Sequence, residues 1–157
     1  MKKICLLFVC SAFLLMACST TKIVRTTQKG LKGSWTLSSI TTNHGNMAKI
    51  NLLFNQASPE CFTGSQWNFV SNNNTGSYTF QQAGCISSVS YIKWFMEEEG
   101  NHVYFFWKFI PEGMKAKDVK VGYKLKLLSE SETDFSLSQE APFEDGTITI
   151  YYHFIKN

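Results

Sequence analysis

The chain has 157 residues, 44% hydrophobic and 15% aromatic but only 17% charged, which excludes a disordered chain, a coiled coil and a collagen-like repeat. One domain with a substantial core fits this length. Loss of the first 17 residues would remove Lys2 and Lys3, leaving 13 basic against 12 acidic side chains, a net of +1 in place of +3, so charge gives no case for nucleic acid as a partner.

The chain begins Met-Lys-Lys, continues with an apolar run over 4–16 and reaches Ala17-Cys18. A basic start, a short apolar stretch and a small residue before the cut describe a secretory signal, and the run is too short for a comfortable transmembrane helix. Plain cleavage after Ala17 would leave Cys18 as a free thiol. Leu15-Met16-Ala17-Cys18, however, resembles the bacterial lipobox. That resemblance implies diacylation of Cys18, cleavage before it and acylation of the new amine, a multiple anchor that holds where one chain would be marginal. The expected organisation is a signal peptide at 1–17, a Ser-, Thr- and Lys-rich lipid-anchored tether at 18–30, and a folded domain at 31–157. No acidic cluster follows Cys18, so the expected location is the outer membrane, facing the periplasm.

From Gly33 onward, short β-runs alternate with turn clusters and helical periodicity is nearly absent. Strands are predicted at 33–41, 49–54, 66–71, 77–82, 86–97, 101–110, 122–128, 134–139 and 147–155, with one short helix at 112–118. Hairpin turns fall at 72–76, 98–101 and 130–133. Short connections favour neighbour-to-neighbour antiparallel pairing. The expected fold is therefore all-β, an up-and-down antiparallel barrel of eight or nine strands with one short helix. Within 103–110, Val103, Phe105, Trp107 and Phe109 share one face while Tyr104, Phe106 and Ile110 share the other. Both faces need cover, the second from the tether or the short helix, or the strand is an aggregation hazard.

Of five cysteines, Cys5 and Cys10 leave with the signal and Cys18 takes lipid, so Cys61 and Cys85 remain. A pair in an oxidising compartment suggests a disulfide. The two are equidistant from Asn73 at the centre of a predicted hairpin, which places them nearly opposite one another and within bonding reach. Zinc is the competing reading, but two cysteines without a nearby histidine pair make a poor site.

Gly33-Ser34-Trp35 at the head of a β-meander resembles the first lipocalin signature, and Thr133-Asp134-Phe135 is similar to that family's Thr-Asp-Tyr turn. The family's late arginine has no counterpart, since Arg25 is the one arginine in the chain; Lys156 is the available substitute. Cys61-Phe62-x-Gly64-Ser65-x-Trp67, Gly76-x-Tyr78 and Cys85 extend the likeness over most of 31–155. Together they look like the lipocalin-like lipoproteins of Bacteroidetes-type bacteria. The resemblance implies a small barrel on a lipid anchor, with Trp35 closing one end and an apolar ligand inside.

Catalytic chemistry has no foothold in the pattern. There is no Gly-x-Ser-x-Gly, and no serine or cysteine is spaced to a histidine base. His44, His102 and His153 stand singly, so no metal or other cofactor is expected. Glu97-Glu98-Glu99 reads as a solvated hairpin end, because neighbouring carboxylates on a strand point to alternate faces. Five lysines between 115 and 126 read as a solvated face, with contact to anionic headgroups as the alternative. Asn73-Asn74-Thr75 matches a glycosylation sequon and reads as turn chemistry. The aromatics carry most information: Trp67, Tyr78, Trp94, Tyr104, Phe106 and Trp107 are the candidate ligand contacts. They form either a packed core or the lining of an apolar cavity. Two non-enzymatic functions follow. One is a lipid-anchored carrier of a small hydrophobic ligand; the other is an accessory lipoprotein with a filled barrel that docks a protein or glycan on its outer surface. An interior void of about 300 Å³ or more is the mark of the first.

Overall fold

Strict alternation of large apolar and polar side chains dictates strands with one buried face, and the chain closes them into a barrel. The structure is a computed structural model that describes residues 21–43, 50–143 and 146–157. The signal, the lipobox with Cys18, His44 and Lys49 lie outside the described residues. The strands are β1 (Gly33–Thr42), β2 (Gln66–Val70), β3 (Thr75–Thr79), β4 (Ser90–Glu99), β5 (His102–Ile110), β6 (Tyr123–Glu130), β7 (Asp134–Phe143) and β8 (Gly146–Lys156). Each pairs antiparallel with its sequence neighbours, and β8 returns to β1, giving a closed eight-stranded barrel. The expected all-β meander is what forms.

Three local departures from expectation have physical causes. Of the strand predicted at 49–54, the described residues 50–54 form none: Leu53 pairs with Ala57 across a tight turn, with Phe54 and Asn55 at φ of 51° and 49°. The turn exists because Leu53 and Phe54 are drawn into the core, where both are buried. The strand predicted at 77–82 ends at Thr79 and the one predicted at 86–97 starts only at Ser90, leaving 80–89 irregular because Cys85 is tied elsewhere. Finally, the segment read as a tether contains a helix, α1 (Lys22–Gly30). Val24, Thr27 and Leu31, spaced to lie on one side, are buried. Thr21 caps the helix by accepting from the Val24 amide.

Two further helical pieces are a single turn, α2 (Pro59–Phe62), and a 3₁₀ turn at Ala116–Asp118. The second lies inside the predicted 112–118 helix, shortened to one turn.

Helix α1 sits at the end of the barrel where β1 begins. Gln28 donates to the Ser71 carbonyl and to Asn74 Oδ1 in the β2–β3 turn, and the Trp35 indole donates to the Leu31 carbonyl. Gly33 is at φ 117°, a conformation that favours glycine and turns the chain from helix into strand. Trp35 is fully buried, edge-on to Phe135 at 4.8 Å. The Lys156 ammonium lies 5.2 Å from the indole centroid, so Lys156, the residue read as the available substitute for an arginine, does sit beside the tryptophan. Inside the wall, a Cβ on Gly76 would fall 2.6 Å from the Asn68 carbonyl. Only glycine fits where the Asn68 carbonyl and the Ile92 side chain crowd β3.

The opposite end is closed by connections. Phe54 and Phe62 meet edge to face at 5.4 Å, and Phe54 also packs on Trp107, Tyr123 and Tyr152. The Tyr123 hydroxyl donates to the Phe54 carbonyl. Cys61 and Cys85 form a disulfide with their α-carbons 5.7 Å apart. It joins α2 to the β3–β4 connection, just beyond the last rungs of the β2–β3 ladder.

Candidate functional site

The six aromatic candidates do not share one site. Trp67, Tyr78, Trp94 and Trp107 point inward and are buried, whereas Tyr104 and Phe106 alternate with buried Phe105 and Trp107 and so lie on the outer wall. The inward set fills the barrel. Trp67 stacks on Tyr78 at 4.6 Å and meets Trp107 edge-on at 5.4 Å. Their polar tips are satisfied within the wall: the Trp67 indole donates to Ser65 Oγ and the Trp94 indole to the Thr75 carbonyl. Tyr152 donates to Gln139, and burial pushes its hydroxyl far above the ordinary tyrosine range. Among the described residues, the void at the centre, between Leu37, Phe69, Leu125 and Phe154, is about 10 Å³. That is too small for any organic ligand.

A far larger concavity lies outside, a groove of about 580 Å³ on the outer wall of β4, β5 and β6. Its floor is Phe95 stacked on Phe106, with centroids 4.8 Å apart and planes within 2°. The two rings are a direct cross-strand pair, and Phe95 is 44% exposed. One wall is the β5–β6 connection, carrying Ala116, Lys117 and Gly122. Lys108 pins that connection by donating to the carbonyls of Ala116 and Val119 at 2.5 and 3.0 Å. The second face of β5 was expected to lie under the tether or the short helix. Helix α1 instead crosses the barrel end, and the β5–β6 connection borders the face without covering it.

Lysines surround this floor. Lys93 opposes Lys108 directly across the β4–β5 ladder and donates to the Asn73 carbonyl at 2.5 Å. Lys124 sits 4.1 Å over the Tyr104 ring and 5.5 Å from Phe106, and is paired with Glu99. Among the described residues, no carboxylate lines the groove itself. Sequence reading missed Lys93, Lys108 and Phe95 as members of one site. The signal was present in the two-residue turn Gly100-Asn101, which fixes the register that brings 95 to 106 and 93 to 108.

Elsewhere, the Thr133-Asp134 motif builds the β6–β7 turn. Asp134 Oδ2 accepts from Ser131 and Thr133, and those hydroxyls hold its carboxyl below the usual carboxylate range. His153 Nδ1 lies 2.9 Å from Ser136 Oγ on the β7–β8 wall, away from the groove. Among the described residues, no three His, Cys, Asp or Glu side chains are grouped to hold a metal ion, and no helix is long and apolar enough to cross a membrane. No protein-family model matches the chain, and no curated protein matches it.

Proposed function

We propose that the protein is a lipid-anchored, non-enzymatic docking protein of the outer membrane, with a solid barrel that takes its partner on the outer wall of β4–β6. The observation that carries this reading is the contrast of volumes. The interior void is about 10 Å³, while the external groove is about 580 Å³, within the range of small-molecule sites. A carrier of the kind the aromatic count suggested would need its room inside. Lipid attachment at Cys18 rests on the lipobox and supplies the membrane contact.

The test uses the full-length protein held in zwitterionic nanodiscs and titrated with the neutral fluorophore N-phenyl-1-naphthylamine, with empty nanodiscs as the blank. Phe95→Ser, at an exposed position, should lose most of the protein-dependent signal. Trp107→Ala, which opens space inside, should keep it. The reverse pattern would return the function to an interior carrier. For the anchor, Cys18→Ala should release the chain from the membrane fraction; retention of the variant there would reject it.

A further inference from the structure

We infer that the outer groove is a site for an anionic amphiphile, a molecule with one acidic head and a flat or extended apolar body. The inference rests on the docking reading above and adds the chemistry of the occupant.

The floor is apolar and planar, two phenyl rings that present no hydrogen-bonding atom. The rim is cationic: Lys93, Lys108, Lys117 and Lys124 line the groove, and Glu99 partners only Lys124. Like charges directly opposed on a ladder destabilise a sheet, yet Lys93 and Lys108 are such a pair. Each ammonium is fixed by backbone carbonyls, which hold its position without neutralising its charge. An ammonium has three donors. Lys93 uses one on Asn73 and Lys108 two on the β5–β6 connection, so each has a donor left for an anion.

Other occupants fit less well. A glycan needs several polar partners for its hydroxyls, but the one side-chain amide among the groove's described lining, Asn74, already accepts from Gln28 at 2.6 Å. A peptide adding as a strand needs a free sheet edge, and the closed barrel has none. The volume of about 580 Å³ suits a single small ligand.

Three photoreactive diazirine probes of equal chain length, dodecanoic acid, dodecanol and dodecylamine, distinguish these cases. Each is irradiated with the full-length protein in zwitterionic nanodiscs, and adducts are mapped by peptide mass spectrometry. Labelling of the β4–β5 outer face is normalised to labelling of the β7–β8 wall. The acid should label the groove about tenfold more than the amine, a difference of about 1.4 kcal/mol, with the alcohol between them. Lys117→Gln and Lys93→Gln, both at accessible positions, should bring the acid down to the alcohol's level. Equal labelling by acid and alcohol would overturn the anionic head and leave the outer-wall reading standing. Displacement of the acid probe by an acidic oligosaccharide but not by unlabelled dodecanoate would overturn the amphiphile in favour of a glycan. If no probe labels the groove above the opposite wall, both this inference and the docking reading fail.

Discussion

The two ends of the barrel solve one problem in different ways. At the helix end, α1 lays Val24, Thr27 and Leu31 over the opening and Trp35 closes beneath them, with Phe135 stacked on Phe154 at 4.4 Å. Regular backbone does this at little conformational cost. At the other end irregular connections do it, with Phe54 in the left-handed region, a disulfide across the seal, and aliphatics left outside, among them Leu52, Ile86, Met114 and Val121. A bulky residue at positive φ is strained by about 1–3 kcal/mol. The contrast teaches that a helix can close a barrel with side chains alone, whereas a set of loops needs a strained plug and a covalent staple.

The largest expected effect breaks the helix end. Trp35→Ala should cost about 3–5 kcal/mol in urea unfolding, because the indole loses packing and its bond to Leu31 together. Phe54→Ala at the loop end should cost about 1 kcal/mol less, since a phenyl ring leaves a smaller cavity than an indole and no side-chain hydrogen bond is lost with it. Equal losses would mean the two plugs work alike. Next in size, replacing Cys61 and Cys85 by alanine should cost about 3 kcal/mol. Hydrogen exchange should rise over α2 and the β3–β4 connection while amides near Trp35 keep their protection; uniform acceleration would show that the staple serves the whole barrel. Thr21→Ala, which removes the α1 cap, should cost about 1 kcal/mol and raise exchange at the helix end only.

The smallest effect is a pH dependence at the helix-end rim. Partial desolvation beside α1 raises the Glu130 carboxyl above its ordinary value, against a bond from Thr27 of α1. The folded chain therefore holds this proton more tightly than the unfolded one. Its contribution is most favourable below the ordinary carboxyl value and is lost as pH rises through the raised one. Asp134, lowered by its hydroxyl partners, contributes in the opposite sense, so the informative quantity is a difference. Between about pH 4 and 7, Glu130→Gln should remove a shallow decline in the urea midpoint; an unchanged slope would assign the dependence elsewhere.

The same contrast explains what could be read in the sequence. The strands were legible because alternation is local, and β5 announced both of its faces in eight residues. The disulfide was legible because two cysteines flanked one hairpin, although Cys61 proved to lie on α2 rather than on the ladder. Helix α1 was not, because Ile23, Val24, Thr26 and Thr27 are poor helix formers. So short a helix forms by docking, which composition does not record. Phe54 was misread for a related reason. An apolar run looks like a strand until the core that draws it into a turn is known. The groove lay between these cases, since its aromatics were visible singly but their meeting depended on register.

Closure of β8 onto β1 also governs how the protein is made. Trp35 pairs with Lys156, and Asn157 latches the seam through Ser34, Thr36 and Gln66. The partners at this seam are separated by nearly the whole domain, so the loop closing them is the longest the fold contains, and topologies rich in such contacts fold slowly. Until the last strand is free to pair, β1 and β7 are both unpaired edges. The nascent chain thus passes through a stage when it can pair with a neighbour instead of itself.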